Sequence, residues 1–232
     1  METTYPSIKG PAFEQLGQPC VAFHKYDGSN LRFLWQEAKG WFRFGTRYKW
    51  LKKQTPNFGV AMELFQAMVA PELLATLKRH KEYRGVRNLV AFCEFFGPSS
   101  FAGWHRNDEP KELRLFDVWA QGRGFIPPKE FAQNFGHLPI AEVVYEGPFD
   151  KSFVAAVRDG VYPVREGVVV KGMFTRRDKV EVWAAKVKTQ SWLDELAHRA
   201  SQSDGLREQL AENLREQGVP VDAPGDVANE PA

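Results

Sequence analysis

Two runs with a period of two flank one short polar stretch, and together they limit what the chain can fold into more than any other feature. Val21, Phe23 and Lys25 fall on one side of an extended segment that opens at Cys20; Leu31, Phe33 and Trp35 alternate with Asn30, Arg32 and Leu34 in the next. Side chains alternate across a strand, so both runs are predicted strands. Asp27-Gly28 between them is a dipeptide suited to a tight hairpin. With a third strand expected over 41–47, the opening third reads as an antiparallel meander. Lys25 would stand at the edge of its first turn, in Lys25-Tyr26-Asp27-Gly28-Ser29-Asn30.

The period then lengthens. Met62, Phe65, Met68, Val69, Leu73, Leu74 and Leu77 predict helix between residues 57 and 83. The basic run that ends it, Lys78 to Arg87, suits either phosphate or a solvated helix terminus. Strands follow at 88–96, an apolar run interrupted by Glu94, and at 113–119, with a Gly/Ser loop over 97–103 between them. Short helices are expected over 127–135 and 151–158. A hairpin joins 166–171 to 180–188 through a turn around 175–178. Helical spacing returns from Trp192 to Leu214, and residues 219–232 read as a disordered tail. The sum is an α+β fold of antiparallel sheets flanked by helices, in a body of residues 1–189 with an appendage over 190–218.

Charge is divided unevenly. The net +2 hides −6 over residues 190–232, with 9 Asp and Glu against 3 Lys and Arg, and +8 over the rest. A basic body suits a polyanion. Cys20 and Cys93 fit no zinc spacing, no apolar run reaches membrane length, and no signal segment opens the chain, so free thiols and a cytoplasmic setting are expected.

Three strand positions carry charge where packing favours apolar side chains. Glu94 lies in line with Val90 and Phe92, so it needs a partner or bears a large desolvation cost. Lys186 and Lys188 continue one face of the last strand and repel each other unless an anion lies between them. With the hairpin turn near Thr175, Glu166 falls opposite Ala184, close to both lysines. Each residue also has a plainer reading: Glu94 as an ion-pair partner, Glu166 as a turn residue, the lysines as an exposed edge.

The ordered series Lys25-Tyr26-Asp27-Gly28-Ser29-Asn30, Phe92-Cys93-Glu94-Phe95-Phe96-Gly97, Leu115-Phe116-Asp117-Val118-Trp119, Glu166-Gly167-Val168-Val169-Val170-Lys171 and Lys186-Val187-Lys188 resembles the motifs of the covalent nucleotidyltransferase superfamily of polynucleotide ligases and capping enzymes. The Asn30 position and the 97–103 loop are most similar to RNA ligases of the phage double-strand-repair type. The resemblance implies an adenylyltransferase fold and an ATP-dependent RNA ligase using Mg²⁺ or Mn²⁺. Lys25 would attack the α-phosphorus of ATP, with Asp27, Gly28 and Asn30 in the same motif and Lys186 and Lys188 offsetting phosphate charge. Neighbouring cations would also favour the neutral amine that attack requires. Glu94 would hold the ribose, Arg47 the ribose or nucleic acid, and Phe116 the base, opposite a valine of the 166–171 stretch. Glu166 would position the metal. Core packing remains open for Phe116.

The implied partners are ATP and RNA, as single strands, a nicked duplex or an RNA/DNA hybrid, with an end-processing enzyme as a further candidate. Two departures stand out. Phe23-His24 replaces the glutamate that in many relatives reads the adenine amino group, and His24 is expected to face away from Lys25. The 44 residues after Lys188 leave no room for the OB-fold that DNA ligases and capping enzymes append. Two alternatives stay open: a minimal DNA nick ligase, and a binding module of the same fold without turnover.

Overall fold

A computed structural model of the chain describes residues 4–11, 13–52, 55, 58–98, 105–176, 179–200, 210, 211 and 214. Its strands are β1 (Pro19–His24), β2 (Ser29–Gln36), β3 (Gly40–Thr46), β4 (Asn88–Phe96), β5 (Glu112–Ala120), β6 (Gly124–Phe125), β7 (Val143–Pro148), β8 (Gly167–Arg176) and β9 (Lys179–Lys188). Its α-helices are α1 (Phe58–Leu64), α2 (Ala70–Arg79), α3 (Pro128–Phe135), α4 (Lys151–Arg158) and α5 (Gln190–Ala200). Most of 97–103, the tip of the last hairpin and the 219–232 tail lie outside the described residues, as does most of the appendage beyond α5.

The strands form two antiparallel sheets, ordered β7-β1-β8-β9 and β3-β2-β4-β5-β6. This corrects the expected meander, because β1 and β2 do not pair: β1 lies between β7 and β8, and β2 between β3 and β4. Lys25 to Gly28 is therefore a crossing from one sheet to the other. A hairpin of the primed type would need positive φ at its glycine, and Gly28 is not among the positive-φ glycines. Glycine is required there for another reason, since a Cβ would lie 2.5 Å from the carbonyl oxygen of Phe95 on β4.

The helices cover the outer faces. α1 passes through a π-helical turn (Phe65–Val69) into α2, where Pro71 cannot donate to the preceding turn. By length and composition Gly59–Arg79 could cross a bilayer, contrary to the expectation that no segment would. Here its Ala61, Phe65, Val69, Leu73 and Leu77 instead pack with Phe33, Phe44, Leu89, Ala91 and Phe95 of the five-stranded sheet and with Phe131 and Phe135 of α3. Phe149, with Phe153 and Val157 of α4, covers Cys20, Ala22, Val168 and Val170 of the four-stranded sheet. Both cysteines are buried and free. Trp192, Leu193 and Leu196 of α5 form a separate cluster with Leu210 and Leu214, as the helical spacing predicts.

The opposite face of the five-stranded sheet is covered by the N-terminal segment. Tyr5 is buried against Phe92, Phe116 and Phe125 at centroid distances of 5.0, 4.9 and 5.5 Å. The carbonyl of Lys9 accepts from the Lys186 amide at 2.9 Å, so this one segment touches both sheets. Gly28→Ala is expected to destabilise the protein by about 2 kcal/mol, because the new methyl group must displace β4 backbone rather than a mobile side chain. A lowered urea midpoint at unchanged slope checks this.

Candidate active site

A cavity of about 470 Å³ opens between the sheets, a size suited to a nucleotide-sized ligand. Its wall includes Lys25, Gly28, Asn30, Arg47, Glu94 and Phe116, together with Phe23, Val169 and Lys171. The register explains the choice. On β8, Val168 and Val170 point into the core under α4, so Val169 and Lys171 face the cavity. Phe23 lies opposite Val169 on β1 and Lys186 opposite it on β9, which puts Lys186 on the same side of the sheet.

Lys25 continues β1 through its amide, which donates to the Gly167 carbonyl at 3.0 Å. Its Nζ lies 2.7 Å from Glu166 Oε2, and Lys188 Nζ lies 2.7 Å from Glu166 Oε1. Glu166 is 3% exposed. Burial pushes its carboxyl upward, but Lys25 and Lys188 together outweigh burial and hold it ionised, below the ordinary range. Burial also opposes the charge on Lys25, yet Glu166 and then Glu94 leave its ammonium favoured beyond the ordinary value. The expectation that neighbouring cations favour the neutral amine thus does not hold for this state. Lys188 is instead the amine displaced toward neutrality: burial, with Lys25 and Lys186 adding to it, brings it down to about 8 against the pull of Glu166. Its Nζ also sits 3.6 Å from the centroid of Trp192, so α5 closes the far side of the lysine.

The other end of the cavity is held by a buried relay. Lys171 Nζ donates to Asp117 Oδ2 at 2.8 Å and to the Phe116 carbonyl at 2.6 Å, and the Tyr5 hydroxyl donates to the same Asp117 oxygen at 2.9 Å. Phe116 is thereby fixed at the wall, half-buried and edge-on to Tyr5. Glu94 pairs with Asn30 across β4 and β2, and the Oδ1 of Asn30, the Oγ of Ser29 and the Nε of Arg47 are buried without hydrogen-bond partners. Such unmet polar atoms suit a polar ligand.

Glu166 does not lie opposite Ala184. The hairpin register pairs Gly167 with Lys188 and Lys171 with Ala184, because the turn falls after Arg176 rather than at Thr175. Glu166 is carried past the end of β9, where it meets Lys188 directly. Gly167, at φ 143° and placed where a Cβ would strike the Val187 carbonyl, permits that close approach. His24 borders the cavity, and the register sets it opposite Val168, on the other side of the sheet from Phe23, as its strand position predicts. Its ring stacks on Tyr26 at 4.2 Å, which stacks on Phe96 of β4 at 4.6 Å, a column of rings bracing the crossing between sheets. Asp27 is held through its backbone: its carbonyl accepts from His105 Nε2 at 2.6 Å, while Nδ1 of that ring faces Glu109 at 2.8 Å.

Tyr5, His105 and Trp192 were not among the expected site residues, and neither was the inward face of Lys171. Only Lys171 carries a signal, a lysine two residues from Val169 in an otherwise apolar strand. Among the described residues no group of three or more His, Cys, Asp or Glu side chains could cage a metal. Both Glu166 oxygens are taken by ammonium groups here, and Oε2 would suit Mg²⁺, with phosphate oxygens and water, once Lys25 withdraws, since Mg²⁺ rarely takes an all-protein cage.

Glu94 gives this site a measurable signature. Burial pushes its carboxyl up to about 8, despite the opposing charge of Lys25. Between the ordinary carboxylate value and about 8 the unfolded chain loses a proton that the fold retains, so stability falls as pH rises through that window. Glu94→Gln is expected to raise the melting temperature at pH 8 by about 5 °C, from roughly 2 kcal/mol, with the difference closing toward pH 4. Melts of both proteins across that range check it.

The sequence profile of the RNA ligase family matches residues 18–188. No curated protein sequence matches the chain. Among solved structures, an archaeal ATP-dependent RNA ligase superposes with a TM-score of 0.58 at 18% identity, over 94% of this chain and 62% of that one. A Naegleria gruberi RNA ligase with pyrophosphate superposes at 0.57 and 18% identity, over 78% of this chain and 52% of that one. The same Naegleria ligase, as a variant with ATP and Mn, superposes at 0.54 and 16% identity. The chain thus spans about three-fifths of the archaeal ligase and about half of the Naegleria one. With the two-sheet fold shared and the profile running from the start of β1 to the end of β9, this chain belongs to the RNA ligase family.

Proposed function

We propose that the chain is an ATP-dependent RNA ligase that joins 3′-hydroxyl and 5′-phosphate ends through AMP carried on Lys25 and then on the 5′ end of the strand. One observation carries this reading: Lys25, from the sheet crossing, and Lys188, from the end of β9, share the carboxylate of Glu166 beside a nucleotide-sized cavity. The solved RNA ligases that share this fold, one of them with ATP and Mn, support it.

On this reading the adenine lies between Phe116 and Val169 and the triphosphate points to Lys25, Lys186 and Lys188. Glu94, protonated near neutrality, both donates to and accepts from ribose hydroxyls. Lys25 must leave Glu166 and lose a proton before its nitrogen bonds to the α-phosphorus and the bond to pyrophosphate breaks. The charges of Lys186 and Lys188 aid both events, disfavouring a third ammonium and stabilising the phosphorane oxygens. A bound Mg²⁺ or Mn²⁺, held by Glu166 with water and phosphate oxygens, would supply further neutralisation of the triphosphate. AMP passes next to the 5′-phosphate of a strand, and attack by the 3′-hydroxyl releases it. An enzyme that leaves 3′-hydroxyl and 5′-phosphate ends would have to precede this one.

Incubation with ATP and Mg²⁺ is expected to add the mass of one AMP to the intact protein, and Lys25→Ala to abolish the addition. A wild-type protein that gains no mass overturns the reading. Lys188→Ala is expected to slow AMP capture by about 10² or more, the scale of losing one preorganised charge at a reacting phosphate, as single-turnover labelling would show.

A further inference from the structure

We propose that the turn after β3 is the docking surface for a single-stranded RNA end, with Tyr48 stacking on an unpaired base and the surrounding lysines and arginines on its phosphates. The assignment rests on the ligase reading and names where the second substrate lies.

Strand β3 is one of the two outer strands of the five-stranded sheet. From Ala38 to Met62 the sequence holds six Lys and Arg and no Asp or Glu. Aromatic residues are interleaved with them: Phe42, Tyr48 and Trp50. Trp50 is engaged, with the guanidinium carbons of Arg32 and Arg43 at 3.8 and 4.2 Å from its ring centroid. Tyr48 is 79% exposed and Phe42 44%. Rings of that size ordinarily supply buried area, so a Tyr standing in solvent calls for a physical reason.

Tyr48 is not on a loose loop. The Thr46 amide donates to the Lys49 carbonyl at 2.9 Å, the Lys49 amide to Thr46 Oγ1 at 3.2 Å, and the Leu51 amide to the Phe44 carbonyl at 3.1 Å. A Cβ on Gly45 would strike the Lys49 carbonyl, so the turn closes more tightly than another residue allows. The ring is thus presented by a built turn at the rim of the cavity, next to Arg47, whose Nε is buried without a hydrogen-bond partner. Stacking platforms flanked by cations are how proteins hold single strands without reading their sequence. An acidic peptide would satisfy the charges but leave the ring unused.

Binding of a fluorescein-labelled single-stranded RNA, followed by anisotropy over a range of salt, tests this beside AMP capture by intact mass. Tyr48→Ala is expected to weaken binding about tenfold or more, the scale of one base stack, and Tyr48→Phe to restore it. Lys49→Ala/Lys52→Ala is expected to reduce the salt slope by about 1.4, the scale of two lysines that no longer neutralise single-strand phosphates, while capturing AMP at the wild-type rate. RNA affinity unchanged in all these variants, with AMP capture intact, overturns the docking surface and leaves the ligase reading standing. Preferential binding of an acidic peptide over RNA overturns it too. Failure of the wild type to capture AMP removes the reading beneath it, and the assignment with it.

Discussion

Everything at this site follows from one buried carboxylate held between two ammonium groups. Glu166 is 3% exposed and would be expelled or protonated if it stood alone. Lys25 and Lys188, each at 2.7 Å, keep it ionised. Removal of either lysine leaves Glu166 paired with the other, at one oxygen in place of two. The arrangement also sets the protonation of Lys25. An amine paired with a carboxylate is protonated and cannot attack, so the proposed reaction requires that the three charges first be redistributed. A triphosphate and its cation carry the charges that such a redistribution needs.

The two-sheet architecture is what allows residues 25, 166 and 188 to meet. β1 pairs with β8 and β8 with β9, so the ends of three strands distant in sequence lie side by side. The polar crossing from β1 to β2 then carries the chain past this edge into the second sheet, and the cavity is the gap that the crossing spans. On the proposed reaction, rigidity at the crossing matters because the Lys25 amine would have to face a phosphorus atom along one line. The ring column His24, Tyr26 and Phe96, the His105 contact to the Asp27 carbonyl and the methyl-free approach of Gly28 to Phe95 all act on the same four residues.

Much of this was legible in the sequence, and the illegible part has a common cause. Period-two and helical spacing mark seven of the nine strands and the segments that hold the helices, whereas β6, β7 and the π-helical turn have no clear signature of their own in so short a span; β6 covers only Gly124–Phe125. The charged residues in apolar strands, Glu94, Lys186 and Lys188, mark the cavity side correctly, because burial of charge is costly wherever it occurs. Sheet membership was not legible. Asp27-Gly28 suits a hairpin locally, and only the steric demand of Phe95, a residue 67 positions from Gly28, shows why glycine stands there for another reason. Register was missed similarly: a shift of the turn from Thr175 to just past Arg176 moves Glu166 from Ala184 to Lys188. Tyr5 and His105 are single residues in irregular segments, and no periodicity can mark them.

The buried charges around the cavity weaken the fold that carries them. Glu94 and Lys188 are both displaced toward their neutral forms by burial, so each ionised form raises the energy of the folded chain. The apolar clusters offset this from two sides. Phe33, Phe44, Phe65 and Phe95 consolidate the sheet that bears Glu94, while Val168, Val170, Ala185 and Val187, packed on Phe149 and Phe153, hold the strands that bear Lys186 and Lys188. Each strand thus alternates between stabilising one side and sustaining a costly charge on the other. Strand alternation places the two sets of side chains within one residue of each other, which is why a sheet, rather than a loop, can carry this much unfavourable charge and still hold it in place.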